Sequence, residues 1–221
     1  MSTPITKIPK PDIDQFKEGR KLFLVPLFQI PYDAPEPGQQ LAERYWSELR
    51  DSIHNLENSL GKLCAIYHEA LFSDGDEGLK MLEKLNPRGY PFIKAMCQSN
   101  VHLEPTENRA LLEESSDWGR CIAMGLVSEK VMTAAVEGYQ NTTSQRYEHI
   151  SNQIDQTLTG KDPGILFISE NHRVQFPSDI QIFYVAPPAL DDLKRWINNQ
   201  LRPTTETSEN TQETNEKDNP V

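Results

Sequence analysis

The stretch GILFISENHR, from Gly164 to Arg173, interrupts a chain whose pattern is otherwise mainly helical. Its first half, Ile165 to Ser169, is a short apolar run with β-branched and aromatic members, which is typical of a buried strand. A second run of this kind spans Ile180 to Ala186, and Leu22 to Val25 has the same character near the start of the chain. The sequence therefore predicts three strands among the helices.

Two long segments carry the pattern of amphipathic helices. Apolar residues recur at steps of three and four from Gln39 to Phe72 and again from Ser128 to Leu158, so each segment has one apolar stripe. Gly61 lies within the first segment at a cost of about 1 kcal/mol relative to alanine, which the repeated stripe outweighs. Shorter helices are predicted at residues 76–85, 90–99, 107–126 and after Pro188.

These elements predict an α+β protein that is mostly helical. The stripes of the two long helices would pack against each other as an antiparallel pair, and a small sheet of two to three strands, together with the C-terminal helix, would complete the core. We divide the chain into a flexible N-terminal arm (residues 1–20), a single globular helix-rich domain (21–202) and a disordered acidic tail (203–221). The tail contains no apolar residue before Val221, so it cannot offset the entropy of ordering.

The composition excludes several classes of protein. A net charge of −11 argues against nucleic acid as a ligand, since that binding depends on Lys and Arg. No apolar run approaches the roughly 20 residues that span a bilayer, and no signal peptide precedes the first strand. The three cysteines are too widely spaced for a disulfide framework or a CxxC metal site. We therefore expect a cytoplasmic protein that has no membrane partner.

The C-terminal part of the chain also carries a pattern of its own, GILFI…H.VQFP.DI…VAPPALD…RW. With it, the sequence resembles an uncharacterised family of prokaryotic proteins that has no assigned function. Tyr67-His68-Glu69 and Asp117-Trp118 upstream fit the same resemblance, which then covers most of the body of the chain. The resemblance implies no chemistry, cofactor or site residue. The matching residues are Thr157-Leu158, Gly164 to Ile168, His172, Val174 to Pro177, Asp179-Ile180, Phe183, Val185 to Asp191 and Arg195-Trp196.

Common catalytic and cofactor motifs are absent from the sequence, including GxGxxG, GxxxxGK[ST], HExxH and GxSxG. Candidates for chemistry must therefore come from single residues. Glu114 falls near the apolar face of its predicted helix, where an acid either forms a structural ion pair or serves as a general acid or metal ligand. The preferred interpretation of Glu114 is a structural ion pair or a boundary residue whose carboxylate reaches water.

His68 is a second candidate, because Cys64 lies four residues before it on the same predicted helix. A cysteine and a histidine at this spacing can ligate a metal, but two ligands do not complete a zinc site. We therefore predict no metal site and favour a histidine that bonds to a neighbouring helix. No particular cofactor is indicated.

His172 and Asp179 lie between the last two predicted strands. A hairpin-like connection would place both residues at strand ends, where loop-borne chemistry is common, and a carboxylate could then orient the imidazole as a base. The polar residues around Asn171 also suit a plain turn, which is the preferred interpretation. If a carboxylate does hold His172, the pKa of this histidine is raised.

Two functional hypotheses follow from these patterns. The first is a small binding or regulatory protein of unspecified ligand, with a protein partner or a homodimer formed through apolar surface on the long helices. The alternative is a hydrolase or metal-assisted enzyme that uses His172, His68 and Glu114. Acidic mimicry of nucleic acid is a third idea, which rests on charge alone. Convergence of the three named side chains on one pocket would favour the enzyme.

Overall fold

The computed structural model describes residues 18–28, 30–31 and 33–201. The predicted tail and residues 1–17 of the predicted arm lie outside this part of the chain, whereas Arg20 is already the first residue of a strand. The strands are β1 (Arg20–Leu27), β2 (Ala65–His68), β3 (His102–Leu103), β4 (Gly164–Ser169) and β5 (Ile180–Tyr184). The helices are α1 (Glu36–Leu60), α2 (Gly75–Leu85), α3 (Tyr90–Gln98), α4 (Arg109–Ala123), α5 (Glu129–Thr157) and α6 (Ala189–Leu201).

All the strands belong to one parallel, five-stranded sheet with the order β3-β2-β4-β1-β5. The predicted fold class, in which a sheet of two to three strands accompanies two long antiparallel helices, is therefore wrong. Strands β1 and β4 lie at the centre, and their registers pair Phe23 with Ile165 and Val25 with Phe167. Both strands are buried on both faces, as is usual for parallel sheets.

The predicted sheet is too small in part because the sequence pattern does not predict strand β2. The predicted helix from Gln39 to Phe72 ends at Leu60, because Gly61 adopts φ 111°, outside the helical region. The spacing of Leu63, Tyr67 and Leu71 continues the helical period by coincidence. All four residues of β2 are buried, so the segment satisfies the pattern of a central parallel strand equally well.

The connection between β4 and β5 also differs from the predicted hairpin. Both strands run parallel to β1 and lie on either side of it. Residues 170–179 must therefore return from the carboxyl end of the sheet to its amino end. Val174 in this connection is buried against Leu22 and Leu24 of β1, beside helix α5.

The sheet has helices on both faces. Alternate strand residues, such as Phe23 and Phe167, form one core with helices α1, α2, α3 and α6. The residues between them, such as Leu24 and Leu166, form a second core with the last part of α5. The sheet thus separates α1 from α5, and the predicted antiparallel pairing of the two long helices does not occur.

Helix α4 packs against the first part of α5 rather than against the sheet. The Cβ of an alanine at Gly138 would lie 2.5 Å from the ring of Trp118, which shows how closely the two helices approach. Together they form a helical hairpin, the α4–α5 arm, whose connecting residues Met124 and Val127 are exposed. In the described part of the chain, no helix is both long enough and apolar enough to cross a bilayer.

Candidate functional site

The carboxyl ends of β2, β3 and β4 form one edge of the molecule, and ligands of parallel sheets usually bind at such an edge. Two cavities open there, one of about 480 Å³ and one of about 970 Å³. They share three residues, Glu69, Arg146 and Ser169. These residues form the centre of the candidate site.

Glu69 follows the last residue of β2 and links it to the end of β4. Its carboxylate accepts a hydrogen bond from the backbone N–H of Ser169 at 2.8 Å and lies 3.4 Å from the Ser169 hydroxyl. The side chain is 20 % exposed, so the carboxylate is held in place while part of it still faces the cavities. Such an anchored acceptor suits the recognition of a ligand that donates hydrogen bonds.

Arg146 of α5 stands beside this carboxylate but is bound mainly to Glu107, which follows β3. Its Nε donates to Glu107 Oε2 at 3.1 Å and its Nη2 donates to the other carboxylate oxygen, while Glu69 Oε1 lies 3.9 Å from Nη2. The Glu107 side chain is fully buried and that of Arg146 is 11 % exposed. The guanidinium is therefore mainly structural, and it fixes α5 against the ends of two strands.

The backbone beside Glu69 is strained. Leu71 N–H donates to the carbonyl of His68 at 3.1 Å, which closes a tight turn after β2. The third residue of this turn, Ala70, has φ 68°, in the left-handed region that glycine or asparagine normally occupies. Strain of this kind is concentrated at functional sites, so it supports the assignment of the site to this turn.

His68 lies in the wall of the first cavity but does not offer a free base. Its Nδ1 is 2.6 Å from the carbonyl oxygen of Glu69, so Nδ1 carries the proton that is donated. Nε2 then accepts from the Asn86 side-chain amide at 3.3 Å. Burial lowers the pKa of His68 to about 4, although the hydrogen bond to Glu69 opposes this shift. The imidazole is therefore neutral near pH 7.

The first cavity lies on the face of the sheet that α1 covers, and its wall is largely aromatic and apolar. Tyr45 and Trp46 of α1 contribute their rings, and the Tyr45 hydroxyl donates to the carbonyl of Pro26 at 2.8 Å. Arg88 and Asn86 add polar groups at one side. This cavity suits a flat, apolar or heteroaromatic group.

The second cavity lies beside α5 and has a different lining. It is formed mainly by hydroxyl and amide side chains, and the formal charges of Glu69, Glu148, Arg146 and Arg173 cancel. A neutral group with several hydrogen-bonding positions suits such a surface. The hydroxyl and amide residues of the lining are Tyr139, Gln140, Thr143, Ser144, Tyr147, Ser151, Asn152, Ser169, Asn171 and Gln175.

Two candidates from the sequence lie away from both cavities. Glu114 is exposed on α4, where it accepts hydrogen bonds from Trp118 Nε1 at 3.1 Å and from the Thr142 hydroxyl at 3.2 Å. Asp179 precedes β5 at the amino end of the sheet and accepts two hydrogen bonds from Arg20, which lower the pKa of its carboxyl. Both residues make structural contacts.

His172 is the fourth candidate, and no carboxylate among the described residues forms a hydrogen bond or an ion pair with it. Its Nδ1 accepts from the backbone N–H of Val174 at 3.2 Å, and its ring packs edge-on against Phe176. Burial lowers the pKa of His172, against the opposing charge of Glu69, so the raised pKa expected of a carboxylate-held imidazole is not found. Its neighbours Asn171 and Arg173 line the second cavity, whereas His172 does not.

Neither of these two cavities contains His172, His68 and Glu114 together. Only His68 lines either of the two cavities at the carboxyl end of the sheet. Within residues 18–28, 30–31 and 33–201, no three His, Cys, Asp or Glu side chains are grouped so that they could hold a metal ion. The prediction of a homodimer or another protein partner stays a prediction.

Sequence reasoning missed Glu69, Arg146 and Ser169 as site residues. The sequence pattern places Glu69 in a predicted helix, where its position does not indicate a site, and Arg146 is one of several charged residues on α5. A polar residue directly after a buried strand is the sequence feature that could indicate this site. The feature can be recognised only if both β2 and β4 are predicted to be parallel strands. Of these two strands, the sequence predicts only β4, and it predicts a hairpin-like connection from β4 to the next strand.

Comparison with known proteins identifies no relative of this chain. The chain matches no protein-family model, no curated protein and no solved structure. The resemblance to a family without an assigned function therefore stays a prediction, and the functional argument depends on the geometry of the site.

Proposed function

We propose that the protein binds a small organic molecule at the carboxyl end of its sheet, with a ring in the first cavity and a hydroxyl-rich part in the second. One observation carries this proposal: two cavities of opposite character meet at Glu69, Arg146 and Ser169. A ligand that spans both would place its central part at the Glu69 carboxylate. This develops the hypothesis of a small binding or regulatory protein.

The proposal assigns no catalytic step to the three residues of the hydrolase hypothesis. His68 uses both ring nitrogens in hydrogen bonds, and Glu114 is bound to Trp118 and Thr142. As part of the proposal we keep the cytoplasm as the compartment, where the free thiols of Cys64, Cys97 and Cys121 would stay reduced.

The proposal is tested with compounds that join a ring to a sugar. Binding of 4-nitrophenyl β-D-glucopyranoside, 4-nitrophenyl β-D-galactopyranoside, adenosine and uridine is measured by saturation-transfer NMR. We expect a signal from at least one of these compounds with the unmodified protein. Absence of signal from all of them contradicts the proposal.

Variants that fill each cavity then locate the bound compound. Leu85→Trp fills the first cavity and Ser144→Trp the second, and both residues are exposed, so the fold should tolerate the change. Lys84→Trp and Asn141→Trp are matched controls, since these residues are exposed neighbours that do not line the cavities. We expect both filling variants to abolish the signal and both controls to retain it. Loss in only one filling variant would show that one cavity alone is occupied.

A further inference from the structure

We infer that the ligand is a nucleoside, with its ribose hydroxyls at Glu69 and Ser169 and its base in the first cavity. This inference rests on the proposed function and narrows the ligand to one chemical class. Three features of the site carry it: an anchored carboxylate at the end of a strand, a ring-lined cavity beside it, and a helix start that does not suit phosphate.

The carboxylate selects for hydroxyl donors. Glu69 Oε2 accepts from the backbone N–H of Ser169, and the remaining acceptor capacity of the carboxylate faces the cavities. A carboxylate accepts hydrogen bonds and repels other anions, so vicinal hydroxyls are a suitable partner. Acidic residues at the carboxyl ends of parallel strands bind ribose hydroxyls in this way in dinucleotide-binding folds. The Ser169 hydroxyl adds a group that can donate or accept.

The ring-lined cavity is suited to a base. Trp46 is partly exposed and presents an aromatic surface on which a planar heterocycle can pack, while the buried Tyr45 supports it with an edge-on ring contact. Arg88 is half-buried at the same cavity, and its Nη2 makes only a long contact of 3.5 Å with the carbonyl oxygen of Pro31. Its other N–H groups are donors for the ring nitrogens and carbonyl oxygens of a base.

The start of α1 argues for a nucleoside without phosphate. Phosphate sites in parallel folds use the free N–H groups at the helix that follows the first strand, usually with a glycine-rich turn. Here Pro35, which has no N–H, precedes α1, and Glu36 adds a negative charge to its first turn. Gly38 cannot approach a ligand, since a Cβ there would lie 2.4 Å from the ring of Trp196. Arg146 is already neutralised by Glu107.

The test compares related ligands on the unmodified full-length chain. Dissociation constants are measured by isothermal titration calorimetry for adenosine, guanosine, cytidine and uridine. The tightest of these is then compared with its 2′-deoxynucleoside, its free base and its 5′-monophosphate. We expect the 2′-deoxynucleoside and the free base each to bind at least tenfold more weakly, because a hydrogen bond to a charged group is lost. The monophosphate should bind no more tightly than the nucleoside.

Glu69→Gln provides the second arm. It should weaken nucleoside binding at least tenfold and reduce the preference for ribose over deoxyribose, because the amide is a neutral and weaker acceptor. Glu170→Gln is the matched control, because Glu170 is an exposed carboxylate directly after Ser169, the last residue of β4. The Glu170 side chain bonds to Tyr184 and Lys194, and it lines neither cavity. It should leave binding unchanged.

Several results would overturn the inference. Equal binding of the ribonucleoside and the deoxynucleoside removes the role of Glu69, and tenfold tighter binding of the monophosphate shows a phosphate site. If none of the four nucleosides binds while a 4-nitrophenyl glycoside does, the ligand is not a nucleoside, yet the proposed function stands. The comparison of ligands on the unmodified protein decides the matter even if Glu69→Gln fails to fold.

Discussion

Ala70, beside Glu69 at the candidate site, has a strained backbone conformation. Its φ of 68° costs a non-glycine residue about 1 kcal/mol or more, and the cost persists because β2, the Glu107 carboxylate and the turn from His68 to Leu71 fix the chain on both sides. The turn places the Glu69 carboxylate between two cavities. The backbone strain at Ala70 and the position of the Glu69 carboxylate therefore have the same structural cause, which is the turn after β2.

Substitution of Ala70 measures this strain. Ala70→Gly should leave the free energy of unfolding unchanged or raise it by up to about 1 kcal/mol, since glycine adopts this φ without a steric cost. Ala134→Gly, at an exposed position inside α5, should lower it by about 1 kcal/mol. Urea denaturation measures both variants. If the two changes destabilise the protein equally, Ala70 is not strained.

His68 predicts a dependence of stability on pH. Its pKa is about 4 in the folded protein and near 6.5 in the unfolded chain, so between these values the unfolded chain binds more protons. The contribution of the neutral His68 side chain to the free energy of unfolding is fully present above pH 6.5. It is lost as the pH falls toward 4, and the total loss is about 3 kcal/mol. Urea denaturation at several pH values should show this slope in the wild type. The slope should be smaller in His68→Gln, and equal slopes would show that His68 titrates normally.

At the scale of elements, the α4–α5 arm depends on a close approach of its two helices. Trp118 of α4 lies over Gly138 of α5, where no Cβ can be accommodated without movement. Glu114 and Thr142 add a hydrogen bond across the same interface. The arm is thus held by contacts between its own helices, and the ion pair of Arg146 with Glu107 lies where α5 approaches the end of β3.

Two glycine substitutions in the arm should have opposite effects. Gly138→Ala should destabilise the protein by about 1–3 kcal/mol, because the added Cβ would displace the ring of Trp118. Gly119→Ala, on the facing helix, should stabilise it by up to about 1 kcal/mol, since its Cβ would meet Tyr139 at an ordinary 3.6 Å. Thermal unfolding followed by circular dichroism compares the two. A stabilising Gly138→Ala would mean that the helices are further apart.

At the scale of the whole molecule, burial differs strongly between the sheet and the arm. Strands β1 and β4 lie between two other strands and are covered on both faces, whereas α4 has a single buried residue, Ser115. The free energy of local opening rises with the burial of the backbone and with the number of packed neighbours. The centre of the sheet should therefore be the most stable part of the described chain.

Hydrogen exchange can test this difference in stability. Amides of Leu22 to Val25 and of Ile165 to Phe167 should exchange most slowly, with protection close to the global free energy of unfolding. Amides between Met124 and Ser128, which connect the helices of the arm, should exchange fastest among the described residues. Mass spectrometry of peptides after timed labelling measures both regions. Equal protection of the arm connection and of β1 would contradict this distribution.

The sequence predicted many elements correctly because their signals are local. The strand at Leu22 to Val25, the run at Ile165 to Ser169 and the long helix after Ser128 are each identified by their own periodicity. The sequence pattern does not reveal β2, because Leu63, Tyr67 and Leu71 continue the helical spacing of α1 through and beyond this strand. The two-residue strand β3 is too short to show any pattern.

What the sequence determined by itself was therefore the approximate position and type of most elements, the apolar residues of the core and the absence of common catalytic motifs. Only the tertiary structure decided that all five strands are parallel, that β1 lies between β4 and β5, and that α1 and α5 cover opposite faces. The candidate site belongs to this second group. Glu69 and Ser169 are 100 residues apart in the chain, and they meet because parallel strands bring their carboxyl ends to one edge of the sheet, a relation that depends on strand order and direction rather than on local periodicity.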